Sequence, residues 1–171
     1  DPLVSEDRYN KVILFKTAKL FEASAELGAV LAQAGPANTQ AAAEFGQHIG
    51  VVFQLIDDWL DYAASSAVLG KNAGDDLREG KPTLPLIYLL NEGTEVQKAM
   101  AARAIEQIDE CDEEFFQEVM QAVKSSGALD YTIAQAESKA AQAKICLASF
   151  PDNPSTQALF QLCDYSLSRS F

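Results

Sequence analysis

The sequence predicts an all-α fold, and three observations carry that prediction. Ala, Leu, Glu, Gln and Lys, all good helix formers, dominate the chain. Apolar residues recur at helical spacing, whereas β-branched runs with period-two alternation are scarce. Gly35-Pro36, Asn91-Glu92-Gly93, Pro151 and Pro154 fall between the periodic stretches, where they break helices. With 171 residues, 48% of them hydrophobic, the chain is long enough for a proper core and reads as a single helical unit spanning 1–171.

The elements follow in order. A first helix is expected from about Glu6 to Gln33, closed by Gly35-Pro36, and a second from about Asn38 to Tyr62. Ser65 to Pro82, rich in Gly, Asp and Lys, reads as an ordered surface loop of a size that is often functional. Thr83 is placed to cap a short helix through about Leu90, with Pro85 tolerated in its first turn, and Asn91-Glu92-Gly93 ends it. Thr94–Gln107, Asp112–Ser126, Ala128–Phe150 and Ser155–Ser168 read as further amphipathic helices, with Pro151 and Pro154 separating the last two.

The balance of charge narrows the function. A formal net charge of -12 with no basic stripe argues against nucleic-acid binding. Cys111, Cys146 and Cys163 lack paired spacing, so they suggest buried hydrophobes in a reducing cytoplasm rather than disulfides or a zinc site. No stretch reaches the ~18 apolar residues of a membrane span. The chain begins Asp1-Pro2-Leu3 and enters a helical pattern almost at once, which is the expectation for a piece of something longer.

The informative stretch is Phe53-Gln54-Leu55-Ile56-Asp57-Asp58-Trp59-Leu60-Asp61-Tyr62, at the end of the second helix. Helical periodicity places Phe45, Ile49, Val52, Ile56 and Leu60 on an apolar stripe, with Gln54, Asp57, Asp58 and Asp61 on the other side. Three acids so close repel one another, and the macrodipole at a helix C-terminus makes negative charge worse. A hard divalent cation with oxygen ligands, Mg²⁺ above all, would offset that, and an ordinary solvated face is the plain alternative. Downstream, Lys71 and Lys81 sit beside glycines. Their ammonium groups suit phosphate oxygens around a metal, and Asp76 offers a further carboxylate, although each lysine by itself reads as a surface residue.

Taken together, these segments resemble the trans-polyprenyl diphosphate synthase family along essentially the whole chain, most closely bacterial octaprenyl diphosphate synthases. Asp57-Asp58-Trp59-Leu60-Asp61 is similar to the family's second aspartate-rich motif, preceded by its Phe-Gln pair at Phe53-Gln54. Lys16-Thr17, Leu69-Gly70-Lys71, Gly74-Asp75-Asp76 and Gly80-Lys81-Pro82-Thr83-Leu84-Pro85 match its other motifs in order. The resemblance implies the C-terminal half of an antiparallel helical bundle around an apolar cavity. It implies a Mg²⁺-dependent enzyme that condenses isopentenyl diphosphate with an allylic diphosphate to lengthen a quinone side chain. On that basis Asp57 and Asp61 would ligate or support Mg²⁺, Asp58 would complete the shell and Asp76 would act in its outer sphere. Lys16, Lys71 and Lys81 would hold diphosphate, Thr17 and Gln54 would orient the allylic tail, and Phe53 would pack beside the second substrate.

Nothing before Asp57 resembles the family's first aspartate-rich motif, so the chain by itself is expected to be inactive and product length cannot be read from it. A half-bundle should expose apolar faces, which favours oligomerisation or association with an N-terminal half, and the resemblance implies a homodimer. A silent partner subunit and an isoprenoid cyclase of related fold are the alternatives; the intact acids and lysines speak against the first, the Phe-Gln-x-x-Asp-Asp pattern against the second. His48 reads as a packed or solvated histidine rather than a ligand, Trp59 and Tyr62 as packing residues rather than cation stabilisers, and Phe115, Phe116 and Val119 as core or subunit interface.

Overall fold

The computed structural model describes residues 4–63, 74–107 and 112–168, and every regular element among them is helical. Helix α1 (Glu6–Ile13) runs through a π-helical turn (Leu14–Ala18) into α2 (Lys19–Leu31), followed by α3 (Pro36–Ala63). Then come a single turn, α4 (Asp75–Arg78), and α5 (Leu84–Glu92), α6 (Glu95–Glu106) and α7 (Glu113–Ser125). Helix α8 (Ala128–Cys146) ends in a 3₁₀ turn (Leu147–Ser149), and α9 (Pro154–Ser168) closes the described chain. The expected helices are present, with four local differences. The first helix contains a π turn, and the expected surface loop contains α4. The penultimate helix tightens into a 3₁₀ turn four residues before Phe150. Thr83 occupies the N-cap position of α5 without capping it, because its hydroxyl instead donates to the Tyr62 hydroxyl at 3.2 Å.

Two compact units divide the residues, and α1, α3 and α8 each contribute to both. The first unit takes in residues up to Asn10 and Asp57–Ile133. Its core gathers Tyr62, Leu77, Leu86, Leu89, Ala101, Phe116, Val119, Met120 and Val123. Burying each of the larger aliphatic side chains is worth about 1.5–3 kcal/mol, so the short helices α5 to α7 are held by packing rather than by intrinsic helicity. Their starts are well made. Thr94 and Gln97 form a reciprocal capping box on α6, and the Asp112 carboxylate accepts from Phe115 N–H at 2.9 Å on α7. Phe115, Phe116 and Val119 are buried in this core, which settles their reading as core residues.

Glycine is needed at position 74, just before α4. Its φ of 82° is left-handed, and a Cβ there would stand 2.5 Å from the Phe116 ring. The turn it starts is pinned by Arg78, whose guanidinium lies 3.7 Å from the centre of the Phe116 ring and pairs with Glu113 at 2.9 Å.

The second unit comprises Lys11–Ile56 and the residues from Ala134 onward. Phe45, Ile49, Ala143, Leu147 and Cys163 form its buried centre, flanked by Phe21, Phe150, Leu159 and Phe160. Helix α3 approaches the π turn and α2 so closely that only glycine fits on it. A Cβ on Gly46 would lie 2.4 Å from the Phe21 carbonyl oxygen, and one on Gly50 would lie 2.5 Å from the Ala18 Cα. On the outer side of α2, Leu20, Leu27 and Leu31 are 74%, 57% and 76% exposed, an apolar row without cover. Among the described residues no helix is long and apolar enough to cross a membrane.

Candidate metal and diphosphate site

In the first unit the end of α3 presents the three expected acids in different environments. Asp57 is exposed, Asp61 is half-buried and Asp58 is only 3% exposed. The apolar stripe of α3 is buried as expected. The side that carries the acids is not a solvated face, however, since Gln54 and Asp58 are buried there too. A buried carboxylate needs hydrogen bonds, and the phenol of Tyr9 donates to Asp58 Oδ2 at 2.6 Å. Burial, and then the Asp58 charge it faces, hold that phenol well above its ordinary pKa.

The chain returns to this helix end at Gly74. The Gly74 N–H donates to the Asp61 carbonyl at 2.8 Å, and the Asp76 N–H donates to Asp61 Oδ2 at 3.1 Å. Burial, aided by the nearby Asp76 charge, pushes the Asp61 carboxyl up to about 7. Lys81 lies against Asp76 at 2.9 Å and also pairs with Glu79; hydrogen bonds to these two acids raise its pKa. Asp61, Asp76 and Lys81 are therefore brought together, while Lys71 lies outside the described residues.

Among the described residues no three Asp, Glu, His or Cys side chains converge tightly enough to form a ready-made metal cage. The donor set still fits a hard cation of the magnesium or calcium type. Its ligand atoms are carboxylate oxygens, Asp57 and Asp61 retain access to solvent, and Asp61 and Asp76 crowd like charges. Such a cation is usually held by only one or two carboxylates together with water and phosphate oxygens.

In the second unit Lys16 and Thr17 sit in the π-helical turn, a rare geometry often found at functional places in helices. Lys16 is exposed, and the Thr17 hydroxyl donates to Gln54 Oε1 at 2.8 Å. Phe53 is 37% exposed, its ring 5.6 Å from that of Phe21. Thr17 and Gln54, singled out from separate motifs, thus form one hydrogen-bonded pair.

Sequence reasoning missed Tyr9 and Glu79. Tyr9 lies 49 residues from Asp58, so no local spacing joins them. Glu79 stands two residues before Lys81 and was within reach of a charge-pattern argument. His48 and Trp59 are half-buried, and Tyr62 is wholly buried. Burial lowers the His48 pKa, as expected of a packed imidazole. Of the cysteines, Cys163 is buried and Cys146 is only partly so, a departure from the expectation of full burial, while Cys111 lies outside the described residues.

Known proteins resemble this chain in sequence and in fold. The family model for polyprenyl synthetase matches residues 1–123. The octaprenyl diphosphate synthase of Escherichia coli (strain K12) is 41% identical over 169 residues, which cover 99% of this chain and 52% of that protein. The octaprenyl diphosphate synthase of Haemophilus influenzae is 39% identical over 171 residues, 100% of this chain and 51% of the relative. Among solved structures, the polyprenyl synthase of Caulobacter crescentus CB15 complexed with calcium and isoprenyl diphosphate superposes with a TM-score of 0.92 at 41% identity, covering 100% of this chain and 52% of that one. The heptaprenyl diphosphate synthase of Staphylococcus aureus does so with a TM-score of 0.92 at 26% identity, covering 100% and 52%. The chain spans about half the length of the curated relatives it matches. Its helices have the all-α isoprenoid-synthase fold, and the chain belongs to the polyprenyl synthetase family.

Proposed function

We propose that this chain provides the second aspartate motif and the lysine loop of a magnesium-dependent trans-prenyltransferase, which condenses isopentenyl diphosphate with an allylic diphosphate to make a long-chain, octaprenyl-type product. One observation carries the reading. The end of α3 gathers Asp57, Asp58 and Asp61, the residues from Gly74 on set Asp76 beside Asp61, and Lys81 pairs with Asp76.

In this reading Asp57 and Asp61 hold Mg²⁺, with Asp76 in the outer sphere. When bound, the metal supplies the positive charge that stabilises a departing diphosphate. Lys16, Lys71 and Lys81 bind diphosphate oxygens as point charges on long stems. Lys81 must leave Asp76 and Glu79 to do so, an exchange made easy because exposed ion pairs are worth only about 0–1 kcal/mol. The Thr17–Gln54 pair orients the allylic carbon that loses diphosphate, and Phe53 flanks the second substrate. The protein works as a cytoplasmic homodimer; the uncovered row of Leu20, Leu27 and Leu31 supports association.

The test joins this chain to the first half of the Escherichia coli relative and supplies Mg²⁺, isopentenyl diphosphate and a short allylic diphosphate, with products sized by chromatography. Elongated polyprenyl diphosphates are expected. A well-folded chimera that makes none, beside an active relative, would count against the reading. Asp57→Ala in the chimera should lower turnover by orders of magnitude while the helical circular dichroism stays nearly unchanged.

A further inference from the structure

We propose that Tyr9 is a positioning residue of the metal motif: its hydroxyl fixes the Asp58 carboxylate, so that Asp58 orders the end of α3 while Asp57 and Asp61 meet the cation. The inference rests on the metal reading above and changes the part played within it by the middle acid.

Tyr9 is 6% exposed and Asp58 is 3% exposed, and their oxygens are 2.6 Å apart. A hydrogen bond to an ionised oxygen is short and about twice as strong as a neutral one, so Asp58 Oδ2 is committed to the phenol. A metal ligand must instead turn its oxygens to a site reached by water and phosphate, as exposed Asp57 and half-buried Asp61 can.

The identity of the donor matters as well. A lysine or arginine in place of Tyr9 would satisfy Asp58 but would add a positive charge next to an incoming cation. A phenol donates to the carboxylate and brings no charge of its own. Partners of this kind, one step removed from the metal, typically change affinity by roughly 10–100-fold when removed.

The experiment titrates the chain with Mn²⁺ in the presence of inorganic pyrophosphate, following binding by water-proton relaxation. Wild type, Y9F, D58N, the Y9F/D58N double variant and D57N are compared, with helical circular dichroism as a folding control. Y9F should weaken Mn²⁺ binding about tenfold, the low end of that range. D58N keeps an oxygen that accepts from Tyr9 and should also weaken binding without abolishing it, whereas D57N should abolish it. In the D58N background Y9F should have a much smaller further effect, because the amide oxygen accepts only a weaker, neutral hydrogen bond from Tyr9.

Wild-type affinity in folded Y9F would overturn the proposal. So would a Y9F effect that persists undiminished beside D58N, the signature of a purely structural tyrosine. Should Y9F fail to fold, D58N alone decides: loss of binding as complete as in D57N would make Asp58 a direct ligand and sink the inference. Failure of wild type to bind Mn²⁺ would instead remove the metal reading, and this inference with it.

Discussion

Asp61 shows how strongly one residue can depend on what the fold places beside it. Its carboxyl is raised to about 7 by burial and by the Asp76 charge, against an ordinary value of 3.8. Between those two values the folded protein holds a proton that the unfolded chain has released. Stability contributed by this group is therefore present at low pH and is lost as pH rises through about 7. The metal-free protein should lose thermal stability between about pH 4 and pH 7, and Asp61→Asn should flatten that part of the profile in differential scanning calorimetry. A slope unchanged by the substitution would show that other groups set it. The acids of α3 were legible in the sequence because they lie within about one turn of one another. Asp76 was legible through its motif and Lys81 through its neighbouring glycines. Tyr9 was not, since only the folded chain brings residue 9 to residue 58.

At the scale of the element, α3 owes its position to Gly46 and Gly50. The atoms that a Cβ would meet there include the Phe21 carbonyl and the Ala18 Cα, which are backbone and cannot yield as a flexible side chain would. Gly50→Val should therefore cost about 1–3 kcal/mol or more through overpacking. It should also disturb the Thr17–Gln54 hydrogen bond four residues along α3. Gly28, within α2, has nothing within 4 Å of a built Cβ. There alanine should stabilise the protein by roughly 0.5–1 kcal/mol, because glycine in a helix loses more backbone entropy. Urea unfolding of the two variants beside wild type checks both signs. Helix positions were readable because apolar periodicity, Gly-Pro breaks and caps such as Thr94 are local signals. The π turn and the diversion of Thr83 to Tyr62 were not readable, since the close approach at Gly50 and the burial of Tyr62 arise only on packing.

For the whole molecule, composition and helical period sufficed for an all-α class, and the order of motifs sufficed for the family. Which exposed residues would form a continuous surface was harder to read, because an apolar helical position can face either a core or a partner. Leu20, Leu27 and Leu31 recur on one side of α2 and remain largely exposed. Replacing Leu20 and Leu31 together with Glu should leave the core intact and shift sedimentation toward a smaller species at micromolar concentration. Unchanged sedimentation would count against the proposed association through this row.

The hydrogen bond from Gly74 to the carbonyl of Asp61 has a bearing on how this architecture can diversify. It holds Asp61 and Gly74 together. Lengthening the chain between two residues tethered in this way costs little, since loop entropy grows only as the logarithm of length, about 0.6 kcal/mol per doubling. Insertions between Asp61 and Gly74 should therefore leave the aspartates of α3 where they are.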